Sequence, residues 1–458
     1  MRSAYTVEQI RRAEGELMAT LPTGALMQRA AAGLATACAQ FLGGVYGARL
    51  LVLAGSGANG GDALYAAARL VRRGARAEAV LLGETAHEGG LAEFVAAGGY
   101  VVAEPGQYDV VLDAIVGIGG RGGLDERAAG LVDGLTAPVV AVDVPSGIGV
   151  DSGELAGPHV EAAVTVTFGT HKVGLFVDPA AQAAGSVALV DIGLGPYLGD
   201  PAVQVLQDDD VRRLMPRPAH DAQKYSRGLL GIEAGSAQYT GAGLLVTSAA
   251  VATGLAGMVR YNGGADALVR SAHPEVVIGP GQVQAHVVGP GLGQGQGDTV
   301  RRVLADGLPT VVDADALAEL PARCSSPVVL TPHAGELARM LDRDRTDVEA
   351  RMLAAATTAA KRWDAVVVLK GARAVIAAPD GRIRVNTTGV PWLATAGAGD
   401  VLAGITATLL AAGLDCFDAA SVGAWLHGSA ATLASRGGPL SATSVVASIP
   451  DVLRAVLT

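Results

Sequence analysis

Two successive series of short aliphatic runs, each run followed by a stretch of helical spacing, constrain this chain more than any other feature. The first series falls at residues 50–54, 80–82, 110–112, 139–142, 164–168 and 187–190, and the second at 229–232, 267–269, 283–288, 310–312, 328–330 and 366–369. Runs without polar alternation suit strands buried on both faces, with the intervening helices as cover, so each series predicts a parallel sheet in an α/β domain. Two domains agree with the length, because 458 residues exceed what one hydrophobic core usually holds. The pattern loosens at Asp208-Asp209-Asp210, and the prolines of Met215-Pro216-Arg217-Pro218 suit a connector, which sets the expected domains at 1–207 and 208–458. Ahead of the first strand, residues 7–40 read as helix broken by Pro22 and Gly24.

Hydrophobic residues make up 50% of the chain and aromatics only 4%, a mixture that suits helices packed closely on parallel strands. The formal net charge of −10 argues against sequence-independent nucleic-acid binding, which needs a basic surface to release counterions. Cys38, Cys324 and Cys416 lie too far apart for a metal-ligand spacing or a disulfide framework, and a reducing cytoplasm is expected. Glu8, Glu14 and Glu16 interrupt the N-terminal residues, so no signal peptide is read there. The uncharged stretch 234–259 is broken throughout by Gly, Ser, Thr and Gln, and predicts a buried strand-loop-helix segment rather than a membrane span.

In the first half, the strand at 50–54 runs into Gly55-Ser56-Gly57-Ala58-Asn59-Gly60-Gly61-Asp62 and then into an apolar helix. Glycines admit close backbone approach, and a helix N-terminus offers free N–H groups and a positive dipole end, so an anion site is expected. The same letters spell Gly-X-Gly-X-X-Gly, with Glu78 near the place of a ribose-binding acid, which keeps a nicotinamide-dependent dehydrogenase open as an alternative. Two further segments, Asp113-Ala-Ile-Val-Gly117-Ile-Gly119-Gly120-Arg121-Gly122 and Asp143-Val-Pro145-Ser146-Gly147, also follow aliphatic runs. Open α/β sheets bind ligands at strand carboxyl ends, so the three loops are expected to converge on one crevice. Asp113 and Asp143 either work on a ligand there or cap loop N–H groups.

These three motifs, in this order, resemble the N-terminal NAD(P)H-hydrate epimerase family, with Ala58 in place of that family's first asparagine and Gln28 in place of a usual glutamate. The resemblance implies a Rossmann-like doubly wound domain. In it Ala58, Asn59, Gly60, Gly61 and Asp62, with Gly117, Ile118, Gly119, Gly120, Arg121, Gly122 and Gly123, cradle the substrate. It further implies that Asp143 contacts the substrate near the reacting carbon, and that Asn59, Asp113 and Ser146 bind a potassium ion through oxygen atoms. A carboxylate suits that chemistry, since inverting the hydroxyl-bearing ring carbon passes through a cationic iminium or a ring-opened intermediate.

The second half carries Ala396-Gly397-Ala398-Gly399-Asp400, leading into Val-Leu-Ala-Gly404. Small residues ahead of a helix let successive N–H groups surround a transferring phosphoryl group, and Asp400 is placed to take the proton of an attacking hydroxyl. A plain helix cap is the alternative. With Lys224-Tyr-Ser-Arg227-Gly228, Tyr239-Thr-Gly241-Ala242, Gly289-Pro290-Gly291-Leu-Gly293, Asp313-Ala-Asp315, Thr331-Pro332-His333-Ala-Gly335-Glu336 and Leu369-Lys370-Gly371-Ala372, this segment resembles the ribokinase-like superfamily. Within it the match is to the ADP- or ATP-dependent NAD(P)H-hydrate dehydratase.

That resemblance implies a ribokinase-like α/β/α domain. Ala242, Gly291, Gly293, His333 and Asp400 would contact the hydrated dinucleotide, while Lys370, Gly371, Ala372, Arg373, Ala374 and Gly399 would bind the adenine nucleotide. It implies ADP in preference to ATP as phosphoryl donor, a magnesium ion, hydrated NADH and NADPH as substrates, and a homo-oligomer. Fusion of the halves makes sense if the first supplies the epimer that the second accepts. The competing reading is a ribokinase-like small-molecule kinase with a non-catalytic N-terminal binding domain.

Overall fold

The computed structural model describes residues 1–120 and 122–458. The chain divides into two compact units, Ser3–Val203 and Gln204–Thr458, the latter counted with Met1–Arg2. Asp208–Leu214 is helical, because Gln207 and Asp210 cap it reciprocally, with the Gln207 N–H donating to Asp210 Oδ2 at 2.9 Å, and because its acids face the positive helix end.

In the first unit seven parallel strands lie in the order Tyr100–Val101, Arg76–Leu81, Arg49–Ala54, Val110–Ala114, Val139–Val142, Val164–Phe168 and Ser186–Val190. Every residue of Val110–Ala114 and Val139–Val142 is buried, as expected of strands covered on both faces. The winding starts at Arg49–Ala54, steps outward twice, then restarts on its other side at Val110–Ala114. This reversal opens a crevice at the carboxyl ends of those two strands.

Helices Val7–Met18 and Ala25–Leu42 are separated as the sequence predicts, with Gly24 taking a φ of 80° that other residues rarely adopt. Thr6 and Gln9 form a capping box at the start of the first helix, whose buried Ile10, Ala13 and Leu17 turn toward the core. That orientation leaves Arg11 and Glu14 for the crevice. A short parallel pair, Ala4 with His171 and Tyr5 with Lys172, fixes Lys172 nearby.

The second unit repeats the plan. Its parallel strands run Val277–Ile278, Met258–Tyr261, Leu229–Glu233, Ala285–Val288, Thr310–Val312, Val328–Leu330 and Val366–Leu369; Ala374–Ala377 and Ile383–Asn386 follow antiparallel. The reversal lies between Leu229–Glu233 and Ala285–Val288. The expected strand at 267–269 is instead part of helix Asp266–Ala272. A three-residue apolar run is compatible with either state, and here only Val269 is buried. The uncharged stretch forms a loop, helix Thr240–Thr253 and the start of strand Met258–Tyr261. Among the described residues no helix is long and apolar enough to cross a membrane.

Gly289 ends the strand at the reversal with a φ of 125°, and a Cβ there would overlap the Asp313 carbonyl oxygen. Gly289→Ala therefore carries both backbone strain and a steric clash, and is expected to cost about 2 kcal/mol or more in a urea titration of the second unit.

Candidate functional site

In the first unit the loops after three strands meet over a cavity of about 600 Å³, lined among others by Ser56, Gly57, Ala58, Asn59, Asp62, Gly117, Ile118, Gly119 and Asp143. Gly60 and Gly61 serve packing behind it: a Cβ on Gly60 would overlap the Gly55 carbonyl, and one on Gly61 would come 2.8 Å from the His87 ring. Gly123 approaches Gly157 rather than the cavity, and Arg121 lies outside the described residues. Gln28 accepts a hydrogen bond from Arg69 at 2.8 Å.

Asp143 follows the strand Val139–Val142 with a φ of 69°, a left-handed conformation that a side chain with Cβ seldom takes. Its Oδ1 accepts from Lys172 Nζ, from Thr167 Oγ1 at 3.2 Å and from the Phe168 N–H at 3.2 Å. Lys172 is 1% exposed and also donates to Thr167 Oγ1 at 3.0 Å and the Phe168 carbonyl at 2.9 Å. A buried ammonium so enclosed is tolerable only because a carboxylate balances it.

Asp113 is fully buried. Its carboxylate accepts from the Ser146 hydroxyl at 2.6 Å and the Ser146 N–H at 2.8 Å, while Ser146 Oγ also lies 3.1 Å from the Val116 carbonyl oxygen. Burial pushes the Asp113 carboxyl up to about 6, against the opposing pull of the Ser146 hydrogen bonds. Asn59 is close by, since a Cβ on Gly117 would lie 3.1 Å from Asn59 Cγ, and the Asn59 amide nitrogen is buried with no hydrogen-bond partner.

Two acids remain. One carboxylate oxygen of Asp62 is buried without a partner, and burial, then the charges of Asp143 and Glu14, hold this group well above the usual carboxylate range. Glu14 is also raised, by burial first, with Lys172 and Arg11 opposing and Asp143 adding to the shift.

In the second unit the titratable groups cluster where strands end. Lys370 Nζ lies 2.8 Å from Asp313 Oδ1 and 3.9 Å from Glu336 Oε2. Burial pushes the Lys370 ammonium down, but Asp313, Glu336 and Asp400 outweigh it and the net shift is upward. Asp400 sits in the first turn of Ala398–Ala411; burial and Asp313 push it up to about 6, with Lys370 opposing. A Cβ on Gly399 would lie 3.3 Å from Lys370 Nζ, so that glycine lets the ammonium reach the helix entrance. Lys370, Gly371, Ala372 and Arg373 form the turn into Ala374–Ala377, with Gly371 facing Met352.

Gly291 and Ala242 meet at the sheet reversal, where a Cβ on Gly291 would come 2.6 Å from that of Ala242. The Gly293 N–H donates to Asp315 Oδ2 at 2.9 Å. His333 caps the helix Ala334–Leu341: its Nδ1 accepts from the N–H groups of Gly335 at 3.0 Å and Glu336 at 3.2 Å, and its Nε2 lies 3.4 Å from Glu336 Oε1. His427, unmarked by any sequence motif, is buried with Nε2 unpartnered and is pushed down to about 4 by burial and Lys370.

Glu78 occupies the third position of strand Arg76–Leu81 and accepts from Tyr108 at 2.5 Å, far from a strand carboxyl end. It therefore does not stand where a dehydrogenase's ribose-binding acid would. Glu14 and Arg11 in the cavity lining, and Lys172 paired with Asp143, are the charged groups that the sequence motifs do not mark; they lie outside the glycine loops, and only the tertiary fold brings them in.

Fold and clusters together define a two-domain α/β enzyme with a polar site at the strand carboxyl ends of each unit. Residues 23–174 match the model of the YjeF-related protein N-terminus, and residues 230–450 match that of NAD(P)H-hydrate dehydratase. A Bifunctional NAD(P)H-hydrate repair enzyme Nnr of Mycobacterium tuberculosis is 45% identical over 443 residues, covering 92% of each chain. One from Mycobacterium leprae is 44% identical across 100% of both. The chain belongs to the bifunctional NAD(P)H-hydrate repair enzyme family.

Among solved structures, an ADP/ATP-dependent NAD(P)H-hydrate dehydratase from Bacillus subtilis, co-crystallised with ATP and Mg2+, is 29% identical with a TM-score of 0.52, covering 55% of this chain and 97% of its own. A ribokinase-like superfamily protein from Enterococcus faecalis is 23% identical with a TM-score of 0.51, covering 57% of this chain and 98% of its own, which identifies the fold of the second unit.

Lys172→Met leaves the Asp143 carboxylate without its buried counter-charge and is expected to destabilise the first unit by about 3–5 kcal/mol. Adding Asp143→Asn should recover much of that loss in a double-mutant cycle read by urea denaturation.

Proposed function

We propose that this chain repairs hydrated NADH and NADPH in the cytoplasm. Residues 1–207 interconvert the R and S hydrates, and residues 208–458 return the S form to NAD(P)H with release of phosphate and AMP. The observation that carries the second activity is Asp400 at a helix entrance beside Lys370 and Asp313, an acid and an ammonium where a phosphoryl group would cross. Asp400 takes the proton of the substrate hydroxyl as its oxygen attacks the terminal phosphorus of ADP, and AMP leaves. The ring nitrogen's lone pair then expels phosphate, a far better leaving group than hydroxide, and loss of a ring proton restores the dihydropyridine.

Ala242, Gly291, Gly293 and His333 flank the dinucleotide in this reading. Lys370, Gly371, Ala372, Arg373, Ala374 and Gly399 hold the adenine nucleotide, with Lys370 meeting phosphate oxygens. ADP is the proposed donor in preference to ATP. Among the described residues no group of three or more His, Cys, Asp or Glu side chains could hold a metal, so magnesium is expected on the nucleotide's phosphates rather than in a protein cage.

In the first unit Asp143 is proposed to face the cationic intermediate. The oxygen-rich set of Asp113, Ser146 and Asn59 suits a potassium ion: one buried carboxylate lacks a cationic partner, and turning the unpartnered Asn59 amide would present its oxygen. Such an ion would supply positive charge close to the loop that begins at Gly117.

The test mixes purified protein with both hydrate epimers and with ADP or ATP in turn, following dihydronicotinamide absorbance and phosphate. Asp400→Asn should slow dehydration by about 100-fold or more while epimerisation persists, and Asp143→Asn should do the reverse. Because Asp400 must be ionised to act as a base, dehydration should rise with pH through about 6 and level off above neutrality. A stable phosphorylated product without NAD(P)H would point to a kinase instead.

A further inference from the structure

Among the described residues, the first unit's cavity gathers more carboxyl groups than cations. Glu14, Asp62 and Asp143 line it, against the guanidinium of Arg11 and the ammonium of Lys172. Lys172 is taken up by Asp143, Thr167 and the Phe168 carbonyl, and the Arg11 guanidinium lies against Gly119, where a Cβ would come 3.2 Å from it. Asp62, on helix Ala58–Val71, receives neither: one of its oxygens is buried with no hydrogen-bond partner among the described residues. A carboxylate kept for structure alone would find an N–H or a cation, because a buried unpaired charge costs several kcal/mol. A proton on Asp62 removes that cost. Its burial and the neighbouring Asp143 and Glu14 charges push in that direction, and only Lys172 opposes them.

We propose that Asp62 is the proton carrier of this cavity. The inference rests on the epimerase reading of the first unit. Asp62 donates its proton to the ring hydroxyl, the carbon–oxygen bond breaks, and the group leaves as water while the ring nitrogen's lone pair forms the iminium. Water then adds to the opposite face of that carbon, and its surplus proton returns to the Asp62 carboxylate. No external reagent is consumed. Asp143 is tied up in the ion pair with Lys172, and Asp62 is the group that changes state. Two acids in one cavity are thereby given separate tasks by which of them has the lysine.

The experiment measures interconversion of the R and S hydrates by the full chain without nucleotide, as a function of pH, for the wild type, Asp62→Asn, Asp62→Glu and Glu14→Gln. Asp62→Asn should lower kcat by about 100-fold or more with little change in KM, and Asp62→Glu should restore part of the rate. Activity needs the protonated form, so it falls as pH rises through the Asp62 transition. Glu14→Gln removes a repelling charge, lowers that transition and moves the alkaline limb to lower pH by on the order of one unit. Interconversion by Asp62→Asn within a few-fold of wild type, or an unmoved alkaline limb in Glu14→Gln, overturns the proposal. The second variant leaves Asp62 itself intact, so a folding defect in the first does not decide the matter. Absence of interconversion in the wild type would overturn the epimerase reading itself, a distinct result.

Discussion

Parallel strands all end on the same side of their sheet, and a sheet wound outward from its middle sends the helices after two neighbouring strands to opposite faces. The gap between those helices cannot be filled by the fold itself. Both units are built around such a gap, between Arg49–Ala54 and Val110–Ala114 in one and between Leu229–Glu233 and Ala285–Val288 in the other. Each loop that matters leaves one of these strands or a neighbour: Asn59 and Asp62 after the first, Asp113 at the end of the second, Asp143 after the third, then Ala242, Gly291, Asp313, His333 and Lys370 in the second unit.

The electrostatics of the two sites follow one logic on unrelated residues. In each, a lysine claims one carboxylate at close range: the buried Lys172 takes Asp143, and the partly buried Lys370 takes Asp313. In each, a second carboxyl nearby is left without a full partner and is raised by burial, Asp62 in the first unit and Asp400 in the second. A proton-transfer group near neutrality needs this treatment, and a lysine already committed elsewhere tempers the shift without cancelling it.

The sheets were legible because fully buried strands leave uninterrupted aliphatic runs, and nearly every run at the centre of a sheet is a strand. Reading failed at the margins. Met258–Tyr261 and Ile383–Asn386 carry Arg260 and Arg384 and lack the aliphatic signature, whereas 267–269 had the signature and is helical. The site was legible where glycine loops and acids follow strands, since local spacing encodes that geometry. Lys172 and Glu14 were not, because they come from a two-residue strand and from a helix that precedes the sheet. His333 could be placed but not interpreted: its capping of the following helix appears only when the N–H groups of Gly335 and Glu336 are seen converging on Nδ1.

Asp143 combines a left-handed backbone with a charge that answers Lys172. Asparagine and glycine tolerate that backbone but carry no charge, while glutamate keeps the charge on a residue that resists the conformation. Every replacement thus forfeits one requirement or the other, and the position has no graded route of mutational decay. Across diverging descendants it should be either retained outright or lost together with its lysine.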